Sequence, residues 1–485
     1  MTGTDSDIFF KKLHCFINRT LLIPVTLLLL IHAFSYHNAK AENKTENLKW
    51  LVEPEFESAA DFTEGFAMIK KNGKYGYINR DGKITIEPRF DIAHPFKEGM
   101  AKVFEKNKGW GFINTSGKVV INNLSYTADF SEGLATVCTD LQWTGFNNRY
   151  GMIDKSGELV IPAEFESIPG FSEGLSAAAK NGKYGYIDKT GRFVIKPEFE
   201  QAIKFSEGMA LVRINGLYGF INREGKTVIP PKFKEAYSFS EGLAGINNHG
   251  YINKQGNHVI KTDFESSGSF TEGVAIFTKN NKCGIISRSG KIIVKPVFEY
   301  MLPFSEGLAV IKQNNRWGYI DKKGNITINP VFDFATNFSE GLAKVQINGK
   351  YGFIDKTGKF IIKPEYDGAG IFSERFVLLK KEGKTGFAIN PLPAEIRKQE
   401  MENAGMLIGT IKSVSGNEII ITGKNIAEQV CMGDKLCVYS GDELIVLRAS
   451  FPMMTMTKCE LVTGDKNDIK PGLNVYRYKK IQKER

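Results

Sequence analysis

The stretch NGKYGYIDKTGRFVIKPEFE, residues 181–200, holds two chain reversals within one short segment, and a close copy, NGKYGFIDKTGKFIIKPEYD, stands at 348–367. Asn181-Gly182 is a pair that accepts positive φ at both centres of a type I′ turn, so the residues on either side of it read as a hairpin. The second reversal runs from Asp188 to Gly191: an Asx side chain bonds its own backbone two residues on, and the glycine takes the left-handed conformation. The same spacing recurs at Asn79/Gly82, Asn114/Gly117, Asp154/Gly157, Asn222/Gly225, Asn253/Gly256, Asp321/Gly324 and Asp355/Gly358. A third short strand is expected to end at a proline, which cannot donate to a ladder; Pro88, Pro162, Pro197, Pro230, Pro296, Pro330 and Pro364 hold that place. The segment from that proline to the next phenylalanine, as in PEFEQAIKF, reads as a packed connection with room for a fourth short strand.

Working outward, a Phe followed by Ser/Thr-Glu-Gly, or by Lys-Glu-Gly at 96, recurs from FTEGFA at 62 to the decayed FSERFV at 372, ten times in all, with seven of the nine intervals equal to 34 residues. A meander this small cannot bury its aromatic face alone, so each copy supplies part of its neighbour's core. Seven copies also carry an aromatic-glycine step: Tyr75-Gly76, Trp110-Gly111, Tyr150-Gly151, Tyr184-Gly185, Tyr218-Gly219, Trp317-Gly318 and Tyr351-Gly352. With [DN]xxG, P-x-[FY] and F-S-E-G-L-A, this set resembles the bacterial WG-containing (KWG) repeat family, known especially from spirochaetes, over residues 51–390. His249, Cys283 and Thr385 replace the aromatic in the other three copies. The resemblance implies a β-rich array in exported or envelope-associated proteins that mediates interactions, and it implies no reaction.

The fold class expected is all-β: tandem repeats of about 34 residues in an open, twisted β-solenoid, followed by a small C-terminal β-barrel. A closed, propeller-like ring is the alternative. Propeller blades usually take about forty residues in sets of roughly four to eight, which ten shorter units fit poorly. On the other side, the array starts in mid-unit at 51–62 and stops in the first hairpin of a unit at 384–390, the split expected if the two ends complete one blade.

Residues 1–41 read as a secretory signal: Lys11, Lys12 and Arg19 precede the apolar run 21–34, and Ala39-Lys40-Ala41 offers a cleavage site after Ala41. The alternative is an N-terminal membrane anchor, although fourteen apolar residues broken by Pro24 are short for a span. Cleavage would lower the net charge from +10 to +8 on a surface where both signs are dense, which does not suggest a nucleic-acid partner. Export places the protein in the periplasm, on the outer surface or outside the cell. Residues 391–405 form a linker with a short helix-like run, 406–478 five or six short strands of an SH3-like or OB-like barrel, and 479–485 a basic tail. Cys431, Cys437 and Cys459 leave room for one disulfide in an oxidising compartment, and no Cys-x-x-Cys spacing suggests zinc.

Chemistry is sparse. The glutamate of each Ser-Glu-Gly step is read as a turn residue capping backbone N–H groups, not as a cation ladder. The in-phase aromatics are read as core before stacking stripe. The motifs of phosphate binding and of serine or zinc hydrolases are missing, so the protein is expected to be no enzyme, with no cofactor and no metal. The longest unit carries the insertion TDLQWTGFNNRY (139–150), which puts Trp143, Phe146, Asn147 and Arg149 on an extended hairpin tip with the composition of a binding hot spot. Function is therefore read as an exported scaffold binding an unidentified protein or envelope polymer, or alternatively as a glycan-binding or glycan-active envelope protein.

Overall fold

The computed structural model describes residues 48–392 apart from 139–147 and 248, together with the backbone of strand segments between 407 and 477. The expected signal segment, most of the linker, the basic tail and the cysteines of the C-terminal module lie outside the residues described with side chains. Among the described residues the repeats build ten small antiparallel sheets. The first blade consists of Ser58–Ala59, Phe66–Lys71, Lys74–Asn79 and Ile84–Phe90. Later blades, numbered two to ten, repeat that order, the two-residue strand being reduced to a single bridge in the fourth and sixth.

The fifth blade shows why these residues form these strands. Met209–Ile214 pairs with Leu217–Asn222 across Asn215-Gly216, whose φ values of 50° and 77° are those of the expected type I′ turn. The next turn is held by the Asn222 side-chain oxygen, which accepts from the Lys226 N–H at 2.9 Å, and by the Gly225 N–H donating to the Asn222 carbonyl at 3.0 Å. The fourth strand left open by the sequence is the two-residue Gln201–Ala202, paired with Met209–Ile214.

The third long strand does not end at the proline. Thr227–Phe233, like Ile84–Phe90 and Phe193–Phe199, runs through it to the aromatic. This strand forms one edge of its sheet, so the missing N–H leaves no ladder bond unmade, and a proline there blunts the edge against pairing with another chain. The pairing is bulged at the same place: Tyr184 faces Phe199 and Tyr186 faces Ile195, so two residues on one strand span four on the other.

The cores lie between blades. One cluster joins Leu175, Tyr186, Ile195 and Phe199 of the fourth blade to Phe205, Ala210, Val212 and Ile221 of the fifth. Each fully buried phenylalanine contributes roughly 1.5–3 kcal/mol. In four blades a buried tyrosine spans the seam and donates to a backbone carbonyl seventeen residues on, Tyr186 to Ile203 at 2.8 Å and Tyr77 to His94 at 2.7 Å being two of them. Burial pushes these tyrosine hydroxyls up from their ordinary pKa.

The open-solenoid expectation is wrong: the array is a closed ten-bladed β-propeller. The tenth blade takes Gly368–Ala369, Phe376–Lys381 and Lys384–Ile389 from the end of the array and its edge strand, Trp50–Phe56, from the beginning. Thr385 faces Phe56 and Phe387 faces Val52, the same bulged register as in the other blades. Phe56, Phe62 and Ile69 then share one core with Phe376 and Phe387. Blade length misled the expectation, because these units save residues by reducing the first strand to two. The split ends were the better signal.

The closing seam carries one backbone irregularity. Nine copies of the Glu-Gly step have glycine at φ between 77° and 89°; the tenth has Arg375 at φ 73°, in the region that costs a side chain about 1 kcal/mol or more. Arg375→Gly is expected to raise stability by about 1 kcal/mol, read as a higher denaturant midpoint at unchanged slope.

Beyond residue 405, Leu407–Ser415, Glu418–Thr422, Met456–Thr463, Glu443–Pro452, Lys435–Ser440 and Asn474–Arg477 pair antiparallel in that circular order. This backbone pairing assigns the module to neither the SH3-like nor the OB-like type.

Candidate partner-binding face

The two ends of each blade do different work. At one end lies the Ser/Thr-Glu-Gly loop that joins the two-residue strand to the next. Its glutamate does not cap its own turn: it reaches the following blade. Glu64 accepts from the N–H groups of Glu98 and Gly99, both at 2.8 Å, and Glu98 accepts in the same way from Glu132 and Gly133. The links continue through Glu306, which accepts from Gly341 at 3.1 Å, and Glu374 returns to the Gly65 N–H at 2.9 Å. Ten carboxylates thus form a closed circle, and a second circle runs partly beside it, with Ser172 Oγ donating to the Phe205 carbonyl and Ser373 Oγ to the Phe62 carbonyl. Cations from the following blade sit against several of the carboxylates, as Lys189 does against Glu132 at 3.3 Å and Arg80 against Glu374 at 3.0 Å. Burial pushes the Glu306 carboxyl up, opposed by Lys356 and by the N–H groups of Gly341 and Glu340. This end of the ring spends its charge on closure.

At the opposite end stand the hairpins. Here an acidic residue just after the P-x-[FY] aromatic caps the turn of its own blade: Glu166 accepts from Asn181 and Gly182 at 3.1 and 2.8 Å, and Asp333 from Asn348 at 2.6 Å. The sequence reading missed this second carboxylate series, although its regular offset of fifteen or sixteen residues before the turn was visible.

Between those caps each blade presents a row of three directly opposed residues that share a face. In the eighth blade the row is Tyr300, Lys312, Trp317; in the ninth, Phe334, Gln346, Tyr351. The second reads Ile92, Phe104, Trp110 and the third Tyr126, Cys138, Tyr150. The first position of these four rows is exposed: Ile92 42%, Tyr126 39%, Tyr300 46% and Phe334 36%. The WG aromatics behind them are half-buried and pack against the cores, so core is the main role of that series, as expected. Trp317 meets Tyr300 and Phe334 edge-on at 5.8 and 6.0 Å, the latter from the neighbouring blade, and Lys312 Nζ lies 5.6 Å from its ring centre. The exposed position was not legible from periodicity, because it is the place where the repeat varies.

Of the predicted binding loop, Trp143, Phe146 and Asn147 lie outside the described residues. Arg149 is described, with its guanidinium 3.4 Å from Glu166 Oε1. The insertion leaves at Cys138 and returns at Tyr150, which face each other beside Tyr126, so it springs from the hairpin end.

Among the described residues no group of three or more His, Cys, Asp or Glu side chains is placed to hold a metal. Cys138 and Cys283 are free thiols, and burial pushes the Cys283 thiol up, away from thiolate reactivity. His94 is pulled below the usual histidine range by burial and by the charge of Lys102. Among the described residues no helix is long and apolar enough to cross a membrane.

By its strand pairing the chain is a ten-bladed β-propeller built of 34-residue units. The family described as WG containing repeat matches ten consecutive segments, 46–75, 75–108, 110–143, 150–184, 184–218, 218–249, 250–283, 284–317, 317–351 and 351–384, and the chain belongs to that family. No curated protein matches it. Among solved structures, a crystal structure of "the eukaryotic initiation factor" aligns at 10% identity and TM-score 0.39, over 67% of this chain and 98% of that one. The WD40 beta propeller domain of Doa1 aligns at 8% identity and TM-score 0.23, over 72% and 99% respectively. The fold assignment rests on the strand pairing, and neither likeness adds a function.

Proposed function

We propose that the protein is an exported, non-enzymatic scaffold that binds a partner protein through the hairpin end of its propeller, with the C-terminal module as a second docking element. Export rests on the composition of residues 1–41, and a retained N-terminal anchor would keep the same ring at a membrane surface. The observation that carries the binding reading is the exposure of Tyr126, Tyr300 and Phe334 on the end of the ring that closure does not use. Exposed aromatics grouped beside cations are the composition of interface hot spots, and loops that vary over a repeated frame are where binding residues concentrate. A glycan reading is less favoured at the eighth and ninth blades, because the Trp317 ring is flanked by Tyr300, Phe334 and Lys312, which leaves no open flat platform for a sugar ring.

The test is capture from envelope extract by the full protein, next to Tyr300→Ala/Phe334→Ala and Trp143→Ala, with bound material identified by mass spectrometry. A specific protein retained by the wild type and lost from either variant at unchanged thermal midpoint is the expected result. Retention of saccharide or peptidoglycan fragments alone would replace this reading with the glycan one. Capture untouched by both variants would remove the hairpin end as the site.

A further inference from the structure

The rows on the hairpin end differ around the ring, and the difference has a pattern. Blades eight and nine are aromatic, and so are blades two and three. The two blades between them have no large apolar first residue: their rows read Gly368, Lys380, Thr385 and Ser58, Lys70, Tyr75. The other way round the ring, blades four, five and seven carry Ser167, Ala179, Tyr184, then Gln201, Arg213, Tyr218, then Ser266, Thr278, Cys283, small or polar at the first position, and the exposed Ile203 and Tyr237 follow that position in blades five and six. One arc therefore has an apolar patch at each end and a low, basic middle.

The carboxylates nearby are Glu57, which accepts from the Gly73 N–H, and Asp367, which accepts from the Glu382 N–H, pairs with Lys350 and also acts on Lys380 through its charge. Lys380, Lys381 and Lys384 are exposed and form no close ion pair among the described residues, with Glu382 as the sole acid of their hairpin. Lys70, half-buried, forms no close ion pair among the described residues and lies 5.2 Å from the Tyr75 ring centre. Lysines between two apolar patches complement a ligand with the reverse order, negative in the middle and apolar at its ends.

We infer that this arc, from the eighth blade through the tenth and first to the third, binds an extended acidic segment of a partner protein, its apolar residues seated at Tyr300/Phe334 and at Ile92/Tyr126 and its carboxylates along Lys380, Lys384 and Lys70. The inference rests on the scaffold reading and narrows it to one partner chemistry. Lys380 and Lys384, exposed beside the hairpin turn, present ammoniums with three donors each, suited to carboxylates spaced along a flexible chain.

The probe is a fluorescein-labelled peptide of alternating Glu and Asp with a Phe near each end, titrated by anisotropy against the full chain. Two comparison peptides are used, one with Ser in place of Phe and one with Lys in place of the acids. Expected are saturable binding that weakens with salt, and a loss of about tenfold or more in Lys380→Glu/Lys384→Glu and in Phe334→Ser. Gln201→Ala, on the polar side of the ring, should bind as the wild type does, and unchanged thermal midpoints show that the fold is kept. Equal binding of the Ser peptide, or equal affinity in all variants, would overturn the inference. If a protein captured from extract is lost on Tyr300→Ala/Phe334→Ala while the acidic peptide shows no binding, the scaffold stands and this partner chemistry falls.

Discussion

Phe56→Ala is expected to destabilise the whole ring as much as Phe199→Ala does, by about 3–5 kcal/mol each, although one residue stands near the start of the array and the other in its middle. Phe56 is buried against Phe387 in the core it shares with Phe62, and Phe199 against Tyr186, at comparable depth and in the same place in their blades. In an open array a terminal unit frays without its neighbours, and the loss would be confined to one end. A closed ring has no terminal unit. Deleting residues 48–56 goes further: it strips the edge strand from Lys384–Ile389, exposes Phe387 and Phe376, and leaves an unpaired, apolar edge that invites association between chains. Broadened, concentration-dependent unfolding and early elution on size exclusion are the expected result. A sharp, monomeric transition near that of the intact chain would contradict ring closure. Equilibrium unfolding of the two point variants and the deletion decides between these outcomes.

The reversals were legible residue by residue because a turn is set by local stereochemistry: Asn215-Gly216 and Asn222/Gly225 adopt the geometry that their side chains dictate. So was the all-β repeat, and so was the sharing of cores between copies. What could not be read locally was anything fixed by curvature. Whether ten units close depends on the small rotation at each inter-blade seam, which is set by links such as Glu64 to Gly99 and Ser172 to Phe205 between residues about 34 apart. The glutamates were recognised as backbone caps, but the N–H groups they cap belong to the next copy, and a sequence that repeats gives no sign of which copy is meant. The binding face was hidden for the opposite reason. Ile92, Tyr126, Tyr300 and Phe334 occupy a position at which other blades carry Ser58, Gln201 or Gly368, so aligning on what recurs passes over what differs.

Gly185→Ala is expected to cost about 3 kcal/mol or more, whereas Gly182→Ala three residues earlier should cost about 1 kcal/mol. The comparison separates two reasons for a glycine. Gly182 sits at φ +72° in the hairpin turn with nothing within 4 Å of an added Cβ, so its requirement is conformational and is met at the usual price of a side chain in the left-handed region. Gly185, the glycine of the aromatic-glycine step, needs the opposite explanation. An added Cβ would lie 2.4 Å from the Ile195 carbonyl oxygen and 2.7 Å from the Pro197 nitrogen, and these are backbone atoms of the bulged edge strand that no rotamer change can move. The same contact recurs at Gly76 with Ile86, at Gly318 with Ile328 and at Gly352 with Ile362. The step is therefore a steric pair: the aromatic opposes the buried Phe199 ring two residues past the proline, and the glycine lets the bulge that carries the proline fold down over the sheet. A loss at Gly185 no larger than that at Gly182 would mean that the bulge can open to admit a methyl group. The proline-bearing edge would then be a flexible cover and not the fixed outer strand that sets the spacing of the blades.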